Sequence, residues 1–128
     1  MPQPPPAISD AEWDVMQVLW DASPLTANDV AERVAPRKGW SPRTVKTLLN
    51  RLVRKGALGF RAEGNRYHYF PKITRDVVVR TESRSFLSRV FGGAAGPMLA
   101  HFVNEAPLTP DEIRQLRELL ERRERKGK

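Results

Sequence analysis

Ser41-Pro42-Arg43-Thr44-Val45-Lys46-Thr47-Leu48-Leu49-Asn50-Arg51-Leu52-Val53-Arg54-Lys55-Gly56 reads as one helix with two opposed faces. Serine followed by proline is a favoured helix start, because the hydroxyl caps a free N–H and proline has none to leave unpaired. Gly56 is a good stop. Between them Val45, Leu48, Leu49 and Leu52 recur at i, i+3, i+4 and i+7, a single apolar stripe. The opposite side collects Arg43, Thr47, Asn50, Arg51 and Arg54, with Thr44 and Lys46 beside it. A helix that anchors by leucines and presents bases and hydrogen-bonding side chains outward is shaped for a groove lined with acceptors.

What flanks this helix sets the fold class. Downstream the period turns strand-like: Leu58 to Ala62 and Arg66 to Phe70 flank Glu63-Gly64-Asn65, which predicts a β-hairpin ended by Pro71. Upstream, Ser9 with Glu12 three positions on forms a capping-box pattern. Trp13, Met16, Val18, Leu19 and Trp20 follow at helical spacing until Asp21-Ala22-Ser23-Pro24 stops them. Leu25 stands as a single extended apolar position. Thr26 caps a second helix with Asp29 in its first turn, and Ala27, Val30, Ala31 and Val34 make its buried stripe. Pro36 is expected to end it, and Gly39-Trp40 to close the turn. Three short helices followed by a hairpin define a winged helix-turn-helix, so the fold class is mainly α.

Beyond Thr74 the pattern is helical again, with no internal repeat. One helix is expected over about 74–91 and a second from Met98 to Asn104, after a break at Gly92-Gly93-Ala94-Ala95-Gly96-Pro97. A third is capped by Thr109-Pro110. It carries Asp111 and Glu112 in its first turn and Arg122, Arg123 and Arg125 near its end, both matching the helix dipole. Its stripe is Ile113, Leu116, Leu119 and Leu120. Three helices of this size bury such stripes poorly alone, so a homodimer is the economical expectation. The predicted organisation is a proline-rich disordered tail over 1–8, a winged domain over 9–73 and a helical dimerisation segment over 74–128.

Charge is distributed as the fold suggests. The 128 residues carry a net +7. Residues 1–35 hold one base against six acids, residues 36–80 twelve bases against two acids, and residues 81–128 nine bases against seven acids. A basic block confined to the middle of the chain points to one face for a polyanion. Duplex DNA offers dense phosphates and, in its major groove, a readable set of donors and acceptors. Arg43, Thr44, Thr47, Asn50 and Arg51 are therefore the expected base readers: arginine forks onto guanine, asparagine pairs with adenine and threonine meets the thymine methyl. Lys46, Arg54 and Lys55 are expected at phosphates, and Arg61 and Arg66, either side of the hairpin turn, at the backbone or in the minor groove.

Other chemistry finds little support. With no cysteine there are no disulfides, thiolate metal sites or cysteine nucleophile, which agrees with a reducing cytoplasm. His68 and His101 sit in unrelated elements without zinc-ligand spacing, so neither metal nor cofactor is expected. The glycines at 92–96 lack the Lys-Ser/Thr of a phosphate loop and read as a hinge. Trp13, Trp20 and Trp40 lie beside apolar helix positions and read as core rather than as base-stacking platforms. Met1 to Ala7 has no basic region and no apolar stretch, so no signal peptide is expected, and no run is long enough for a membrane span.

The stretches Ile8-Ser9-Asp10-Ala11-Glu12-Trp13, Val18-Leu19-Trp20, Trp40-Ser41-Pro42-Arg43-Thr44-Val45 and Leu48 through Leu58 resemble the penicillinase repressors, the BlaI/MecI family. The resemblance covers nearly the whole chain after the tail and is most specific in the winged part. It implies a dimer on a palindromic operator of TACA/TGTA type, with helix 41–56 in the major groove and the C-terminal helices as the dimer interface. It further implies control of β-lactamase or cell-wall-stress genes, relieved when a membrane-bound metalloprotease sensor triggers cleavage of the repressor. In such repressors the cut falls at an Asn-Phe bond; the matching bond here is His101-Phe102, with histidine where they have asparagine. The family also looks like a group of copper-responsive repressors that bind metal through C-terminal cysteines, which this chain lacks. Two further classes remain open on the residues alone: a winged-helix module whose basic face meets an acidic protein, and an architectural DNA binder without sequence preference.

Overall fold

Short polar side chains start the helices where their spacing predicts. The computed structural model describes residues 5–127; residues 1–4 of the expected tail lie outside the described residues. In α1 (Asp10–Asp21) the Ser9 hydroxyl accepts from the Glu12 N–H at 3.2 Å, while Glu12 Oε1 accepts from the Ser9 N–H at 2.9 Å. Thr26 and Asp29 make the same reciprocal pair at the start of α2 (Ala27–Lys38). Bonds from the Thr26 backbone and hydroxyl hold the Asp29 carboxyl below its ordinary range. Ser41 caps α3 (Pro42–Arg54), with Pro42 in the first turn.

Two boundaries differ from expectation. α2 runs through Pro36 and stops only at Gly39, whose φ of 66° and N–H bond to the Ala35 carbonyl close the end. Proline forfeits a single backbone bond so near a C-terminus, and left-handed glycine is the stronger terminator. α3 ends at Arg54, and Gly56, at φ 83°, turns the chain into the hairpin.

Strands β1 (Leu58–Glu63) and β2 (Arg66–Pro71) pair antiparallel, with Phe60 opposite Tyr69, Arg61 opposite His68 and Glu63 opposite Arg66. Each extends one residue past expectation, leaving Gly64-Asn65 as a two-residue connection. On its other edge β2 meets the isolated extended position at Leu25: the Leu25 N–H donates to the Tyr69 carbonyl at 3.1 Å and the Tyr69 N–H to the Leu25 carbonyl at 2.8 Å. This bridge pins the wing to the segment entering α2.

Val15, Met16 and Leu19 of α1, Val30 and Val34 of α2, the four apolar residues of α3, and Leu58 and Tyr69 of the wing form one core. Ile8 packs against that core and the Ala7 carbonyl accepts from Lys55 Nζ, so the end of the expected tail is tied down. The tryptophans pack rather than stand free. Trp13 meets Trp20 edge-on at 5.4 Å, Trp20 Nε1 donates to the Ile73 carbonyl at 3.0 Å, and Trp40 lies against the core.

α4 (Arg75–Phe91), α5 (Ala95–Glu105) and α6 (Pro110–Lys126) follow. α5 starts at Ala95 rather than Met98, because Gly96 and Pro97 fall in a first turn that needs no N–H partners. Only Gly92-Gly93-Ala94 is left as the break. Contacts divide the chain inside α4 into residues 1–84 and residues 85–128, beyond the expected boundary at 73/74. Val78 is buried within the first unit. The second buries no residue among those described; Leu99, Phe102, Val103, Ile113, Leu119 and Leu120 all stand exposed.

Candidate nucleic-acid interface

α3 separates its two faces completely. Val45, Leu49 and Leu52 are 0% exposed and Leu48 5%, whereas Arg43, Thr44, Lys46, Thr47, Asn50, Arg51 and Arg54 are all exposed. Burial of the four apolar side chains contributes roughly 1.5–3 kcal/mol each and fixes the helix roll, so the polar face is held outward by the core and not by its own contacts. Two of the expected readers are partly engaged locally. Thr47 Oγ1 donates to the Arg43 carbonyl at 3.2 Å, and the Thr44 and Ser41 hydroxyls lie 3.3 Å apart.

Lys55 is placed elsewhere. Its Nζ lies 2.5 Å from Glu12 Oε1 and 2.9 Å from the Ala7 carbonyl, so it pins α1 and the preceding segment to the end of α3. The Glu12 side chain is 1% exposed, and its Oε2 has no hydrogen-bond partner. Burial pushes this carboxyl up, but hydrogen bonds from Lys55 and Ser9 outweigh it and hold the group below its usual range. Such a lysine neutralises a buried carboxylate of its own chain and is spent for that purpose. In the free protein Lys55 is thus engaged by its own chain, unlike the other bases of α3.

The start of α2, α3 and the wing together enclose an open depression of about 550 Å3. Lys46 and Asn50 reach it from α3 and Arg66 from the wing; Thr26, Ala27, Asn28, Asn65, Tyr67 and Tyr69 complete the lining, and none of these six was expected at a site from the sequence. Asn65 was visible as a turn residue. Nothing local to Asn28 or Tyr67 signals that they meet, since the Leu25–Tyr69 bridge brings their elements together. Arg61 does not join them. It lines a smaller hollow of about 130 Å3 with Pro24, Glu63, His68 and Phe70.

His68 Nε2 lies 3.6 Å from Glu63 Oε2 on the wing, and His101 sits among Phe91 and Phe102 in the second unit. Among the described residues no three metal-ligating side chains cluster, and no helix is long and apolar enough to cross a membrane.

The geometry can be set beside known proteins. A family model described as penicillinase repressor matches residues 8–122. The penicillinase repressor of Bacillus licheniformis is 37% identical over 123 residues, 96% of each chain. The methicillin resistance regulatory protein MecI of Staphylococcus aureus (strain N315) is 31% identical over 116 residues, 91% of this chain and 94% of MecI. Among solved structures, the DNA-binding domain of the repressor BlaI superposes with a TM-score of 0.52 at 40% identity, covering 60% of this chain and 93% of that one. Monomeric Bacillus licheniformis BlaI in complex with the blaP half-operator gives 0.50 at 41% identity, over 57% of this chain and 89% of its own. Three helices, a hairpin wing and these relatives lead to one conclusion: the chain belongs to the penicillinase repressor (BlaI/MecI) family of winged-helix transcriptional regulators, proteins without enzymatic activity.

Proposed function

We propose that this protein is a cytoplasmic, dimeric repressor that binds a palindromic operator and blocks transcription of β-lactam-resistance or cell-wall-stress genes. The observation that carries the reading is the division of α3: its apolar stripe is sealed in the core while seven polar side chains are exposed along the other side. A helix so held enters the major groove with its early exposed residues at base edges. Arg43, Thr44, Thr47, Asn50 and Arg51 read bases, Lys46 and Arg54 neutralise phosphates, and Arg61 and Arg66 carry the wing along the backbone. The relative solved on its half-operator supports the same use of the fold.

Dimerisation is supported by the second unit, whose apolar side chains are exposed in one protomer. A second copy covers them and presents two recognition helices one helical turn of DNA apart, about 34–36 Å. Release follows cutting of the His101-Phe102 bond in α5 by a protease that a membrane sensor sets in motion. Both residues are solvent-exposed, although the helix must open locally before a protease can seat the bond.

The direct test is a titration of the purified protein against the DNA upstream of its own gene, at fixed moderate salt, beside a shuffled duplex. Selective retardation of the upstream DNA is expected. Equal retardation of both makes the protein an architectural binder, and none with either makes the basic face a site for an acidic protein.

A further inference from the structure

We infer that the depression between the start of α2, α3 and the wing seats one backbone phosphate of the bound DNA, with the Tyr69 hydroxyl as a direct ligand. The inference rests on the DNA-binding reading above and assigns a particular group of the nucleic acid to a particular part of the protein.

Tyr69 carries the case. It is 3% exposed, yet it is part of the wall of the depression. Its hydroxyl makes no hydrogen bond to another described residue, as the bonds in this region belong to Thr26, Asp29 and the backbone of β2. Nor is it a sealed, unsatisfied group, for among the described residues Glu12 Oε2 alone is that. Tyr69 is thus a nearly buried residue in the wall of the depression whose hydroxyl no described residue bonds. The ring is held in place by its packing in the core and beside the Phe60 ring, with centroids 6.1 Å apart. Burial and the adjacent Tyr67 push its phenol up, so it remains a donor at neutral pH.

The surrounding groups select an anion. Lys46 and Arg66 supply two positive charges, neither in an ion pair among the described residues, and no acidic residue lines the depression. Ala27 and Asn28 occupy the first turn of α2, where N–H groups have no acceptor within the helix; the Thr26 cap satisfies the N–H of Asp29 and not theirs. Donors thus converge from a helix start, a recognition helix and a wing strand. A phosphodiester takes bonds from several directions at once, and the depression is open enough for the nucleotide chain to pass on both sides. Seating one phosphate here fixes the depth of α3 in the groove and the position of the wing on the same strand.

The experiment is an anisotropy titration of the full chain on the duplex upstream of its own gene. It is repeated with single methylphosphonate replacements stepped along each strand. Tyr69→Phe keeps the ring and the strand pairing. It should weaken binding about tenfold, as for loss of one hydrogen bond to a charged group, with unchanged salt slope and base preference. Lys46→Gln should lower the salt slope by about one per protomer. Wild-type protein should lose affinity at several methylphosphonate positions per half-site, and at one of them both variants should be indifferent to the replacement. Thermal melting of each variant separates a binding loss from misfolding, and the exposed Lys46 provides the second test if Tyr69→Phe melts early. Undiminished binding by Tyr69→Phe on DNA that the wild type binds overturns the phosphate seat alone. So do losses from variant and methylphosphonate that multiply at every position. Failure of the wild type to bind any duplex, with capture of polyglutamate in its place, overturns this inference and the DNA reading together.

Discussion

Replacing Lys55 with alanine should destabilise the winged unit and leave the salt dependence of DNA binding unchanged. Composition alone predicts the opposite, since Lys55 extends the basic run of α3 and looks like a phosphate contact. The size of the effect follows from its partner. Glu12 is 1% exposed, its Oε1 accepts from Lys55 Nζ and the Ser9 N–H, and its Oε2 has no partner. Without Lys55 a buried carboxylate keeps one backbone donor and loses its counter-charge. Breaking a fully buried pair costs about 3–5 kcal/mol. The Lys55 side chain is 35% exposed, so water can replace part of what it supplied, and a loss of about 1–3 kcal/mol is expected. In a unit of this size that lowers the melting temperature by roughly 4–8 °C per kcal/mol.

The pH dependence gives an independent check. Glu12 is pushed up by burial, but its bonds to Lys55 and Ser9 bring it below the ordinary glutamate value of 4.5. A folded value below the unfolded one contributes stability that is present above about pH 4.5 and is lost as pH falls through the folded value. Lys55→Ala removes the largest of the lowering interactions. The stability gap between wild type and variant should therefore be widest near neutrality and should close as acid protonates Glu12. Urea melts across pH 3–7, with anisotropy titrations at three salt concentrations, measure both quantities. An unchanged melting midpoint together with a salt slope reduced by about one per protomer would return Lys55 to the phosphates and refute the ion-pair argument.

Three other substitutions test separate parts of the account. Arg51→Ala should weaken operator binding by about 1–3 kcal/mol and relax preference at one base pair, as measured by competition with single-base variants; unaltered affinity would remove Arg51 from the readers. Leu119→Glu places a charge on the exposed apolar stripe of α6. Sedimentation should then show monomers at concentrations where the wild type is dimeric, with melting of the winged unit unaffected, and a persistent dimer would exclude α6 from the interface. Gly56→Ala meets no steric obstacle but must hold φ at 83°, so a loss of about 1–2 kcal/mol is expected in urea melts, and no loss would show that the turn can relax.

Signals within four residues were legible in the sequence and longer ones were not. The reciprocal caps at Ser9/Glu12 and Thr26/Asp29, the stripe of α3 and the hairpin around Gly64-Asn65 all rest on short spacings, so each element could be placed by its own residues. Pro36 and Pro97 misled because proline matters only through the bonds and space at its own position, one near a C-terminus and the other in a first turn. Glu12 was legible as a cap but not as the partner of Lys55, forty-three residues away. The depression was invisible for the same reason. Leu25 could be read as an extended position, but not that it would pair with Tyr69 and draw Asn28, Lys46 and Arg66 around one depression.

The unequal burial of the two units bears on how such a repressor lets go. The winged unit holds a core drawn from all of its elements, whereas the second buries nothing among its described residues. One winged unit alone can make only a half-site's contacts. Linking two of them makes the second binding event intramolecular and raises affinity by roughly 10²–10⁴ without any new contact. A cut or a charge placed in the second unit should therefore abolish repression while each winged unit stays folded with its reading face intact. The fragment left after cleavage should then show the wild-type base preference at greatly reduced affinity, with a salt slope near half that of the dimer. A fragment that binds as tightly as the intact protein would mean that release depends on something other than the separation of protomers.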